Sequence, residues 1–116
     1  MRQNMYDPRL IGTWRSDTKK TGREIDSRAD IPLQQKSKLK RFFGRLELRY
    51  TRSRCYSSLG GHITPIPFTV VAKDESSVAI VTIDPNLGRQ IVHIHFEDNY
   101  YWVCLGNIRE FFKRVK

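Results

Sequence analysis

No stretch of this 116-residue chain approaches the roughly 20 consecutive apolar residues that a membrane-crossing helix needs. The opening from Met1 to Pro8 is polar and lacks the apolar core of a secretory signal, so a cytoplasmic protein is the expectation. Cysteine is scarce. Cys55 and Cys104 are the only two, too few for a structural zinc site on their own, and in this context they read as reduced, partly buried thiols. Also missing are a Gly-x-Ser-x-Gly nucleophile turn, a P-loop and a dinucleotide-binding glycine pattern. There is no long-period repeat, no low-complexity segment and no linker. These absences argue against an enzyme of the common classes and leave one domain over residues 1–116. Acid is under-represented as well: 12 Asp and Glu face 21 Lys and Arg, a formal charge of +9. The excess is uneven. Residues 23–54 hold ten basic side chains against four acidic ones, whereas residues 55–108 hold two against five. An anionic partner and a merely solvated basic surface both fit this balance.

What the chain does contain is alternation. From residue 45 onward apolar and polar residues change places with a period of two, the signature of half-buried strands. Leu46, Leu48 and Tyr50 share one face, and Arg45, Glu47 and Arg49 share the other. Strands follow over 54–59, 62–73, 77–83, 89–97, 100–105 and 108–115. The turns between them are Gly60-Gly61, Asp74-Glu75-Ser76, the segment from Asp84 to Gly88, Asp98-Asn99 and Gly106-Asn107. Pro65 and Pro67 give the 62–73 strand an edge-like or bent first half. A short first strand occupies residues 10–15, and the polar segment 16–28 reads as a loop or a frayed helical turn. Asp30-Ile31-Pro32 is a helix start, with Asp30 as the cap. The helix runs to about residue 43, stops at Gly44 and lays Leu39 and Phe43 over a barrel opening. Eight strands joined by short turns favour antiparallel neighbours, and such a meander can close on itself. The fold expected is therefore all-β, an eight-strand antiparallel up-and-down barrel with one helix between the first and second strands.

In the first strand, Gly12-Thr13-Trp14 forms a Gly-x-Trp. With the eight-strand order, the segment Glu97-Asp98-Asn99-Tyr100-Tyr101 and the arginines Arg109 and Arg114 of the last strand, the chain resembles the lipocalin-like proteins of the calycin group. That resemblance implies a barrel floor in which a last-strand arginine, Arg114 or Arg109, stacks on Trp14. It also implies a ligand-binding interior. Intracellular lipid-binding members carry an Arg-x-Tyr in the last strand, where Arg109-Glu110-Phe111 keeps the arginine and lacks the hydroxyl.

Read for chemistry, His93, His95 and Glu97 share one strand face and are reasonable metal ligands. Val92, Ile94 and Phe96 make the better inward face, so no metal and no cofactor is assigned. The expected function is binding of a small hydrophobic or amphipathic ligand, an anionic one included, inside the barrel. The expected lining is Tyr50, Tyr56, Phe68, Tyr101 and Arg109, with tyrosine hydroxyls orienting the ligand and the arginine anchoring a carboxylate. The alternative is a basic surface module, residues 36–54, that binds nucleic acid or an acidic protein partner while the barrel is filled by its own side chains.

Overall fold

The computed structural model describes residues 6–42, 45–85, 87–105 and 108–115. Eight strands close into one antiparallel barrel in sequence order: β1 (Gly12–Ser16), β2 (Leu46–Tyr50), β3 (Arg54–Leu59), β4 (His62–Lys73), β5 (Ser77–Asp84), β6 (Gly88–Glu97), β7 (Tyr100–Leu105) and β8 (Ile108–Val115). β8 returns to pair with β1, Trp14 opposite Arg114 and Ser16 opposite Phe112. Closure removes the sheet edges that an open meander would expose. Alternation places Leu48, Tyr50, Cys55, Ile80, Val92, Tyr101 and Phe112 inside, as their burial or their place in the cavity lining shows. Among the described residues no helix is long and apolar enough to cross a membrane.

The barrel is not uniform along its axis. At one end lie the start of β1 and the turns after β2, β4 and β6; there β4 runs past β3, and from Thr69 to Lys73 it pairs with β5 alone. Pairing also thins at the other end. β6 meets β7 only from His95 to Glu97, so residues 88–94 and 103–105 run without each other. The first half of β4 pairs with β3 alone, Pro65 opposite Tyr56 and Pro67 opposite Arg54, and β5 joins only at Phe68. That is the edge-like stretch the two prolines foretell, since proline brings no amide to a ladder.

Two helices, not one, connect β1 to β2: α1 (Thr18–Asp26) and α2 (Leu33–Phe42). α2 is the expected helix. Asp30 does not cap it but accepts from Arg28, Nη2 to Oδ2 3.0 Å, and the expected stop, with Phe43 and Gly44, lies outside the described residues. α1 stands where a loop or a frayed helical turn is expected. Asp17 caps it, its side chain accepting from the Lys20 amide at 2.9 Å. Thr21 and Ile25, one turn apart, are its buried pair. α1 also finishes what β1 leaves open. Beyond Ser16 the β8 edge would have no partner, but the Asp17 amide donates to the Phe111 carbonyl at 2.8 Å. The Phe111 amide in turn donates to the Thr21 hydroxyl at 3.0 Å.

Of the expected packing of Leu39 and Phe43 over a barrel opening, Phe43 lies outside the described residues, while Leu39 is half-buried on a helix whose Arg41 reaches the cavity mouth. The helix that packs on the barrel wall is α1, against β8. α2 leans on α1 through Lys40 and Asp26, 2.7 Å apart, and leaves Leu33 79% exposed. A polar surface that is cheap to solvate on three sides needs only one buried pair to seat it, which is why α1 sits tightly despite its charge.

Candidate functional site

At the end that holds the start of β1 the barrel is sealed. Trp14 is 2% exposed, packs 4.7 Å from Tyr101 between ring centroids, and donates from Nε1 to the Leu10 carbonyl at 2.9 Å. The Arg114 guanidinium lies over its ring, 4.3 Å from the centroid, and donates to the carbonyls of Ile11 and Arg9. Of the two arginines the resemblance allows, Arg114 is the partner. Its path explains the glycine of Gly-x-Trp. Gly12 has φ +132°, and a Cβ there would stand 2.7 Å from Arg114 Nη1. Arg9 closes the rest of this end. It binds Asp7, donates to the carbonyls of Asp74, Glu75 and Ser77, and stacks on Phe96 at 4.6 Å. Burial opposes ionisation of Asp7, but the Arg9 contacts outweigh it and hold the carboxyl below its usual range.

Above this floor is a cavity of about 560 Å³ that opens at the opposite end. Its wall is largely apolar: Leu48, Ile66, Ile80, Val92, Val103 and Phe112, one each from β2, β4, β5, β6, β7 and β8. At its base the Tyr50 and Tyr101 hydroxyls hydrogen-bond each other at 3.0 Å. Burial pushes both phenols well above their ordinary value. Burial also pushes the Cys55 thiol up to about 12, so it stays protonated and is a poor nucleophile. Cys104 is exposed, and both cysteines are free. Arg41, Arg45 and Asp84 stand toward the mouth.

The inner wall also carries a carboxylic acid, Glu110. Glu110 is 5% exposed and accepts from the Ser16 hydroxyl at 3.1 Å. Burial raises its carboxyl from the ordinary 4.5 to about 6, against the smaller opposing effect of that hydrogen bond. Neighbours on a strand face opposite ways, so Glu110 inside puts Arg109 outside. There Arg109 is bidentate to Glu24 of α1, at 3.1 and 2.8 Å, and lies over Trp102 at 5.3 Å. The Arg109 contacts hold Glu24 below its usual range.

Of the five residues singled out from sequence, Tyr50 and Tyr101 meet at the cavity base. Phe68 is buried edge-on to Tyr50, 5.6 Å between centroids, in the layer beneath. Tyr56 and Arg109 do not line the cavity: Tyr56 lies on the outer face under Arg49, 4.3 Å from its ring, and Arg109 binds α1. Sequence reasoning missed Glu110 as an interior group. The available signal was register, because Phe112 and Arg114 on the floor side fix Glu110 inward by counting back in twos. His93 and His95 lie on the outer face with Trp102. The two imidazoles are 4.2 Å apart and His95 stacks on Trp102 at 4.0 Å, 12° from parallel. Burial, and then His93, lower the His95 pKa.

No family model, curated protein or solved structure matches this chain.

Proposed function

We propose that this protein is a lipocalin-like binder that holds a small hydrophobic or amphipathic ligand inside the barrel and does no covalent chemistry on it. The observation that carries this reading is the 560 Å³ cavity with a largely apolar wall and an open mouth. That volume lies within the roughly 300–1,000 Å³ range of small-molecule sites. Burying apolar ligand surface is the driving force, worth about 25 cal/mol per Å² before the costs of association. The Gly12–Trp14–Arg114 floor supports the kinship with the calycin group. The protonated Cys55 and the two high-pKa tyrosines support binding over nucleophilic chemistry. Two unpaired thiols suit a cytoplasmic, reducing setting.

The test is native mass spectrometry on freshly purified protein, compared with the denatured mass. A reproducible added mass that vanishes on denaturation is the expected result, and its value begins to name the ligand. A bare polypeptide that also takes up no added octanol would count against the cavity reading. The second reading is a basic surface that binds nucleic acid or an acidic protein. It draws on Arg49 over Tyr56 and Arg52 over Tyr6, cations on outward aromatic rings. Affinity for single-stranded oligonucleotide that falls steeply with salt would favour it.

A further inference from the structure

We infer that the cavity takes an apolar amine, whose ammonium group is received by the Glu110 carboxylate. The inference rests on the cavity reading and adds the ligand's head group to it.

Glu110 is the acid built into the inner wall of an otherwise largely apolar cavity. Among the described residues its hydrogen-bond partner is the Ser16 hydroxyl, and no lysine, arginine or histidine forms an ion pair with it. Its nearest basic neighbour in sequence, Arg109, is committed to Glu24 on the outside. The other titratable groups on the cavity are the Tyr50 and Tyr101 hydroxyls and the Cys55 thiol below, and Arg41, Arg45 and Asp84 toward the mouth. A carboxylate in such a place is costly unless a cation meets it. A ligand that brings a cation on an apolar body offsets that cost and buries its hydrocarbon in the same step. A neutral alcohol supplies a hydrogen bond but no charge. A carboxylate ligand with its head inside would set two like charges in one apolar space, and with its head at the mouth it would use only Arg41 and Arg45, which are exposed and screened by salt.

The experiment is isothermal titration of the whole protein at pH 7.5 with octylamine, octanol and octanoate, which share a chain and differ in head group. Octylamine is expected to bind at least tenfold more tightly than either of the others. Glu110→Gln is expected to abolish the tenfold preference of octylamine over octanol. A chain of charge +9 attracts octanoate at its surface and repels octylamine, so a preference for the amine cannot come from surface attraction. If Glu110→Gln does not fold, the ranking of the three ligands on the wild-type protein decides alone. Octanoate binding tightest, or all three binding alike, overturns the amine inference and leaves the cavity reading standing. Failure of all three to bind overturns both.

Discussion

The two ends of this barrel are made from the same strands and are built for different work. At the sealed end Trp14 and Tyr101 are buried against each other, 4.7 Å between ring centroids and tilted by 57°, and Arg9 and Arg114 tie the chain's entry to the turns and backbone around it. At the open end β6 and β7 part after a few pairs, and apolar side chains such as Ile63 and Ile91 stand 61% and 75% exposed. Local stability follows the density of buried contacts and satisfied hydrogen bonds, and binding elements come from the weaker part of a structure. The sealed half holds the fold so that the open half can hold a cavity.

Substitutions can break this contrast, and the largest effects belong to the sealed end. Trp14→Ala is expected to cost about 3–5 kcal/mol in urea unfolding, from lost burial and the void left behind. A cost below about 1 kcal/mol would mean the floor is not the stabilising half. Ile25→Ala, which unseats α1 from β8, is expected to cost about 2–4 kcal/mol, and Leu39→Ala on α2 about 1 kcal/mol or less. Equal costs would put both helices on the barrel. Arg114→Met keeps the length of the side chain and loses two hydrogen bonds and the cation over Trp14. About 2–3 kcal/mol is expected, read from the same unfolding curves.

Glu110 lies where the halves meet, and its effect depends on pH. Its folded pKa, about 6, is above its ordinary 4.5. The folded protein therefore keeps a proton that the unfolded chain gives up, and stability falls as pH rises from about 4.5 through about 6. Glu110→Gln is expected to gain up to about 2 kcal/mol at pH 7.5 and nothing at pH 4. A gain that is the same at both pH values would mean the carboxyl is not desolvated. The smallest effect is at the open rim, where Leu87→Ser is expected to change stability by less than about 0.5 kcal/mol.

The β part of the fold could be read from the sequence because its signal is repeated. Alternation recurs in strand after strand, and glycine or Asp-Asn pairs mark several of the turns, so β3, β4, β7 and β8 begin and end where the pattern says. α1 could not be read the same way. Its buried face is Thr21 and Ile25, and one apolar residue in nine gives no periodicity to detect; the Asp17 cap was the only local mark. The interior site was half-visible. Tyr50 and Tyr101 follow from alternation, but Tyr56 and Arg109 are each one residue away from inward positions, and in a strand a shift of one residue changes the face. Chemical suitability singled out Arg109, whereas register gives the place to Glu110.

The most direct test of the cavity is methyl chemical-shift mapping of isotope-labelled protein during titration with octanol. The account predicts shifts at Leu48, Ile66, Ile80, Val92 and Val103 on the inner wall, with Ile63 and Ile91 on the outside unmoved. Shifts confined to Ile63 and Ile91, with the inner methyls silent at saturation, would place binding on the outer surface and contradict it.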